Sequence, residues 1–596
     1  MFNDKKETKS MPVTKTGVFR TLIINGIILC SAGNLWSQEP EQQEKEKDLG
    51  TEVVNVVKAY TPTVGDAEKL YVAPVLTDSV TTTRKTIQYT INSVPVASTF
   101  TPAKGKANVI KQEPREPLFN SYTALGLGNY NTAQVDFYSS TPLNRDEFLD
   151  VIVNHHSAQG DIDQVFLDTR FFDTELEGHY RRKNRYSQWE VEGGFGHEIY
   201  NWYGVPQGVF SQAQLESIDE RQSYYHAHFG GNLQLPESYF GGGAAGLDYF
   251  WDGYESTELN VMATPEFILS LGDENLNVGT ELNYLNGSQV INYGNDDPIA
   301  YSNLIAEVAP SLQILEDDLT IDLGAAVVYN NDFESGTGNF FIYPRVSASY
   351  NLVEEYLIPY AGVKGDLQQN TYREFVADNP FVSPTINVTP TDAQYDAYVG
   401  VRGKLLPNLS YDLKGSYMAA NNQPLFRNNP LTGLTVTDGE DGYRYGNSFG
   451  VVYDDIRTLS IAGELNFNLN NDLNVGLNAA VRDYNTDEEA EAWNLPSLEG
   501  SLFAEYSFGK KWHAGADFFY IGNRKDRMDT PLLLNPEIVT LDGYFDLNAR
   551  LSYDISKQLG AFVKLNNMTN NDYARWMNFR VQGFQVLAGA SYKFDL

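Results

Sequence analysis

The stretch YFDLNARLSYDISKQLGAFVKLNNMTNNDYARWMNFRVQGFQVLAGASYKFDL, residues 544–596, decides the fold. From Phe545 the odd positions run Phe545, Leu547, Ala549, Leu551, Tyr553 and Ile555, while Asp546, Asn548, Arg550, Ser552 and Asp554 stand between them. Successive side chains of a strand point to opposite faces, so this strand has one apolar face and one that is polar enough to carry charge. After a turn at 556–558, Ala561, Val563 and Leu565 oppose Lys564 and Asn566. Then Phe584, Val586, Ala588, Ala590, Tyr592, Phe594 and Leu596 alternate with a set that includes Gln585, Ser591, Lys593 and Asp595. Soluble sandwiches alternate as well, and length separates the two cases. A membrane-crossing strand needs roughly 9 to 11 residues, against about 5 or 6 in a common globular strand. The strands of this tail reach the longer figure.

The same alternation occupies everything from residue 118 onward. It marks about 22 strands, from 118–130 and 132–142 through 147–158, 409–421 and 446–469 to 540–555, 559–571 and 581–596, an even number within the range of outer-membrane barrels. Short links such as 182–185, 316–318, 470–472 and 509–511 follow even-numbered strands, and long ones (204–221, 371–391, 422–445, 525–539) follow odd-numbered strands. Barrels of this kind have short periplasmic turns and long outer loops, so both ends of the barrel fall in the periplasm. The predicted fold is all-β, a transmembrane antiparallel barrel over 118–596.

Composition agrees. The chain has 38 Tyr and 32 Phe against 7 Met, and 49 Gly. Its mean hydropathy is −0.37, and no segment after the leader approaches the ~20 continuous apolar residues of a spanning helix. A barrel strand shows lipid only every second side chain, which keeps the average low. A net charge of −35 argues against nucleic acid as a partner, because phosphate binding requires a broad positive footprint.

Residues 1–38 read as a secretory signal peptide: Lys5, Lys6, Lys9, Lys15 and Arg20 precede an apolar run over 21–30, with cleavage near Ser37 or Gln38. Met11 is an alternative start. Cys30 follows Leu29 where a lipid-attachment box has a small residue, and as the only cysteine it leaves with the signal. Residues 39–117 form a charged linker and then a short, mainly extended periplasmic or lumenal segment, in which Pro62, Pro74, Pro95, Pro102, Pro114 and Pro117 recur too often for a continuous sheet.

The tail carries a family resemblance. Gly543-Tyr544, the run Asn566-Asn567-Met568-Thr569-Asn570-Asn571-Asp572-Tyr573 and the final Tyr592-Lys593-Phe594 resemble the C-terminal strands of TonB-dependent outer-membrane receptors. The resemblance implies a 22-stranded barrel and ligand uptake or passage across the outer membrane. Those receptors also carry a folded plug before the barrel, and 39–117 is shorter than such a plug, a reduced plug-like segment. Within it Val53, Val54, Val56 and Val57 resemble the short Val-rich box that pairs with TonB, although the same residues read as an ordinary β-prone stretch. The alternative function is a non-transporting subunit of an outer-membrane assembly or secretion complex.

No catalytic, cofactor-binding or metal-binding residue is assigned. His155-His156-Ser157 has a His-x-Ser spacing similar to that of outer-membrane phospholipases, but it lacks their Asn-Gly and any visible orienting group, so the chain reads as a non-enzyme. The acidic loops at Asp296-Asp297 and 438–442 read as solvated turns. Trp189, Tyr200, Trp202, Tyr203, Phe250, Trp251, Trp493, Trp512 and Trp576, near strand ends, read as interfacial girdles. Tyr592, Phe594 and Leu596 are expected to close the barrel against the strand near Leu118. The expected partners are outer-membrane lipid, the barrel assembly machinery during insertion, and TonB or other envelope proteins.

Overall fold

The computed structural model describes residues 118–596, apart from 161, 236–237, 272–273, 296, 437–439 and 471. The signal peptide, the 39–117 segment and Val53, Val54, Val56 and Val57 lie outside the described residues.

Twenty-two antiparallel strands, each paired with its neighbours, form one sheet that closes on itself. The first strand, Ser121–Gly128, pairs with the last, Gln585–Phe594, from Ser121↔Phe594 to Gly128↔Leu587. Closure matters because lipid offers no partner to an unpaired backbone group. The seam is tight: Gly126 faces Gly589, where an added Cβ would stand 2.2 Å from the Leu125 carbonyl oxygen.

Strand positions follow the alternation closely. Glu147–Ala158 coincides with the expected span, and Phe449–Leu469 is one strand of 21 residues with no break at Asp454-Asp455. Its neighbour Leu409–Asn428 runs past the expected end at 421, because a bulge between Ala420 and Gln423 carries the ladder around Asn421 and Asn422. Leu559–Asn566 stops short of 571. Asn567 and Asn570 adopt left-handed φ of 44° and 49°, and the Asn567 amide donates to the carbonyls of Asn571 and Gln582 at 2.9 and 3.0 Å.

The two faces of the wall differ as a membrane requires. Val399, Ile461, Phe340 and Ile342 are all more than 60 % exposed on the outside. The inside carries ion pairs across strands: Arg345 reaches Glu307 at 2.7 Å and Asp366 at 3.2 Å, Lys414 reaches Asp396 at 3.6 Å, and Arg550 reaches Asp517 at 3.0 Å. An apolar belt around a polar lumen is the signature of a spanning barrel. A two-residue turn, Asp317-Asp318, joins Ile299–Glu316 to Leu319–Asp332, whereas 202–220, 369–390 and 429–448 are long and form the outer end. The short helices α1 (Gln212–Leu215) and α2 (Tyr372–Asp378) belong to these long loops.

The girdle expectation holds only in part. Trp251 stacks on Tyr225 at 5.4 Å and Trp512 on Phe508 at 5.8 Å, and Trp189 shares the outward face of Val191. Tyr200, Trp202, Tyr203, Phe250, Trp493 and Trp576 pack instead into apolar cores at the outer mouth. Phe250 and Trp251 are consecutive, so alternation itself sends them to opposite faces. The others lie on loops or strand ends that fold back inward.

Candidate functional site

Residues 369–390, between Ile358–Gln368 and Thr391–Leu406, fold inward against the wall. Thr371 and Glu374 start α2 locally: the Thr371 hydroxyl accepts from the Glu374 N–H at 3.1 Å, and Pro380 follows the last turn. Tyr372, Phe375 and Val376, at i, i+3 and i+4, form its buried face. The wall meets the helix start with carboxylates. Glu258 accepts from the Tyr372 N–H at 2.7 Å, the Arg373 N–H at 3.1 Å and the Tyr301 hydroxyl at 2.9 Å. Asp252 accepts from the Tyr372 hydroxyl at 2.9 Å, and Asp248 pairs with Arg373 at 2.7 Å. Glu258 thus takes up N–H groups that a helix start leaves unbonded, while Asp252 and Asp248 hold the side chains of its first two residues.

Beyond the helix the loop acts as a short extra strand. Val382 bridges Phe449 in parallel, with the Phe449 N–H donating to the Phe381 carbonyl and the Ser383 N–H to the Phe449 carbonyl, both at 2.9 Å. The Tyr224 hydroxyl donates to the Pro380 carbonyl at 3.0 Å, and the Ile386 N–H donates to Gln289. Phe381 stacks on Phe579 with centroids 3.7 Å apart, and Tyr203 meets Phe579 edge-on at 4.9 Å. Segments far apart in the chain thus share one buried core that includes Trp202, Tyr372, Tyr443, Phe449 and Phe579. Phe381→Ala is expected to cost this cap about 3–5 kcal/mol. Faster proteolysis of the outer loops, on a barrel that stays heat-modifiable, would be the readout; unchanged cleavage would contradict it.

A hairpin, Arg524–Met528 with Glu537–Leu541, supplies a second anchor. The buried Asp526 accepts from the Asn428 N–H at 2.9 Å, the Arg527 N–H at 2.8 Å and the Asn494 amide at 2.9 Å. Burial pushes its carboxyl up to about 6, with these donors pulling the other way. An unfolded Asp titrates near 3.9, so the stabilisation from this raised group is complete below about pH 4 and is lost as pH rises through about 6, on the order of 3 kcal/mol. Protection of the cap amides, taken as exchange relative to the intrinsic rate at each pH, is therefore expected to fall from pH 4 to 6 and then level off, and Asp526→Asn should flatten the profile. A variant that kept the wild-type slope would refute this assignment.

A cleft of about 580 Å³ lies beside residues 387–390, against the outer ends of Ile299–Glu316, Leu319–Asp332 and Thr337–Tyr350. Nothing in the local sequence marks it, because its lining comes from separate strands and one distant loop.

Of the residues singled out from sequence, Tyr592 and Phe594 stand opposite Thr123 and Ser121, and the Leu596 N–H donates to Asn120 Oδ1 at 3.0 Å. His155 Nε2 lies 3.0 Å from Ser157 Oγ, and its Nδ1 lies 2.7 Å from Thr174 Oγ1. Thr174 sits on the next strand, which is why sequence spacing does not reveal it. It carries no charge to stabilise an imidazolium, and Ser157 is paired in the ladder with Ala133 and Phe172. In the lumen His179 gathers Glu190, Glu192 and Glu177 at 3.0, 3.3 and 3.4 Å across two strands, and ligand atoms of the first three lie within 4.8 Å of one another. Both ring nitrogens already face carboxylates. Asp296, Asp438 and Gly439 lie outside the described residues; Asp441 is held by the Tyr443 hydroxyl at 2.8 Å and Arg444 at 3.5 Å.

These features define a class: an outer-membrane β-barrel of 22 strands whose outer loops fold together over its mouth. Solved structures of similar fold are outer-membrane transport receptors, not enzymes. The ferripyoverdine receptor of Pseudomonas aeruginosa superposes with a TM-score of 0.57 at 14% identity, over 81% of this chain and 72% of that one. The FrpB iron transporter from Neisseria meningitidis (F3-3 variant) gives 0.60 at 9%, over 80% and 81%. The ferric-catecholate import receptor Fiu from E. coli K12 gives 0.57 at 10%, over 81% and 82%. The barrel is thus of the TonB-dependent-receptor type in fold. No protein-family model and no curated protein sequence matches the chain.

Proposed function

We propose that this chain is a gated outer-membrane receptor for ligand uptake: a ligand settles in the cleft at the outer mouth, and the inserted segment 369–390 moves to let it pass. The observation that carries this reading is the inserted segment itself, pinned by Glu258 and Asp252 yet leaving a cleft of about 580 Å³ beside it. Its polar anchors are hydrogen bonds and one ion pair, which a ligand can exchange for its own. Coupling to TonB through Val53, Val54, Val56 and Val57 belongs to the same proposal, as does a role for the assembly machinery in inserting the barrel.

A second reading, a non-transporting subunit of an outer-membrane complex, is favoured by the extent of the buried core that unites the outer loops. Affinity purification from native membranes, paired with uptake assays on a strain lacking residues 51–60, separates the two. Uptake that depends on those residues supports the receptor. A stable set of envelope partners, with no nutrient whose uptake needs this chain, sinks it.

A further inference from the structure

We infer that the ligand of this cleft is a neutral, polyhydroxylated molecule, a short stretch of glycan, an inference that rests on the receptor reading and narrows it. The cleft's size lies within the roughly 300–1,000 Å³ of small-ligand sites, and its chemistry is unusual. Six amide side chains line it: Asn303, Asn330, Asn339, Asn387, Asn421 and Asn422. An amide offers donors and an acceptor in one plane, and a sugar hydroxyl both donates and accepts, so rows of amides match vicinal hydroxyls. Asn330 adds an unpaired acceptor, for its Oδ1 is buried with no partner. A buried acceptor left unpaired is costly, and a hydroxyl donor relieves that cost.

The charge balance excludes the obvious competitors. Among the described residues that line the cleft there is no Lys, Arg or His, whereas Asp332, Glu334 and Asp392 are present. An anionic ligand, such as a ferric catecholate complex, would meet repulsion with nothing to offset it. A bare metal ion fares no better, because two of these carboxylates are already committed. Asp332 accepts from the Glu334 N–H at 2.9 Å and the Ser335 hydroxyl at 2.7 Å. Asp392 accepts from the Tyr343 hydroxyl at 2.8 Å and the Asn421 amide at 3.1 Å. These bonds hold the polar rim in place before a ligand arrives. Phe341, stacked on Tyr343 with planes 5° apart, gives the same cleft a flat apolar wall for the C–H face of a sugar ring.

The test uses the full chain in a non-glycosidic detergent, since alkyl glycosides would compete. Calorimetry is run with α-1,4-glucan, β-1,4-glucan, β-1,4-xylan and α-mannan oligosaccharides and with a ferric catecholate complex. At least one neutral oligosaccharide is expected to bind, with affinity falling about tenfold or more in Asn330→Leu, the loss of one well-placed hydrogen bond. Asn339→Leu, near the open start of its strand, should weaken the same probe; heat-modifiability confirms that each variant is folded. Binding of the ferric catecholate, lost in the same variants, would overturn the ligand class while leaving the receptor reading intact. Failure of every oligosaccharide to bind the wild-type protein overturns the inference, and the receptor reading then stands or falls on the uptake assay alone.

Discussion

Deleting residues 592–596 is expected to abolish membrane assembly altogether, leaving no heat-modifiable protein in the outer membrane. Those residues supply the register pairs Thr123↔Tyr592, Tyr122↔Lys593 and Ser121↔Phe594, and Tyr592 also pairs with Leu559 on the other side. Beyond the ladder, Asn120 clasps the tail: its N–H donates to Asp595 at 3.1 Å, its amide donates to the Leu596 carbonyl at 3.2 Å, and its Oδ1 accepts from the Leu596 N–H at 3.0 Å. Truncation would expose backbone groups on two strands to lipid, each at a cost of several kcal/mol. The whole margin of a folded domain is about 5–15 kcal/mol. Tyr592→Ala with Phe594→Ala is the informative control, because it keeps the backbone ladder and removes only the ring pair stacked at 5.8 Å. That double variant should assemble with reduced yield. Normal assembly of the truncated chain would mean that closure does not depend on this tail.

Replacing residues 371–390 with a short Gly-Ser link is expected to raise conductance in planar bilayers well above that of the unaltered chain. This segment supplies Tyr372, Phe375, Val376, Phe381, Val382, Ile386 and Val388 to the core of the cap. A graded version is available at Glu258. Its replacement by Ala leaves the Tyr372 and Arg373 N–H groups and the Tyr301 hydroxyl without their acceptor. At about 1–3 kcal/mol per stranded group, a net loss near 3 kcal/mol raises the open probability of the segment roughly a hundredfold. Brief openings in Glu258→Ala and sustained ones in the deletion are the expected records. Silence in both would show that another part of the chain closes the lumen.

Much of the barrel was legible because its signals are local. In 459–469, Leu459, Ile461, Leu465, Phe467 and Leu469 alternate with Ser460, Glu464, Asn466 and Asn468, and a strand lies there. In two places where the expectation slipped, asparagines were responsible. Asn421 ends the expected strand and Asn422 opens the expected loop, yet both sit in a bulge within a longer strand, while Asn567 and Asn570 look like strand and instead turn the chain. Asparagine tolerates left-handed φ and bonds to nearby backbone, so its neighbours settle which way it acts. The candidate site was far less legible. Trp202 and Trp493 looked like girdle residues and are core residues of the cap, and the cleft was not visible at all.

The sequence by itself determined the solvent, the strand count and the closing of the sheet, because a period of two and a strand length are properties of neighbouring residues. Only the tertiary structure decided what happens at the mouth. Glu258 and Tyr372 stand 114 residues apart and Tyr203 and Arg580 stand 377 apart, yet each pair is hydrogen-bonded. Such contacts leave no period in the chain; they exist because closing the barrel brings the loops of distant strands to one rim, where their aromatic side chains can leave water only by packing on each other.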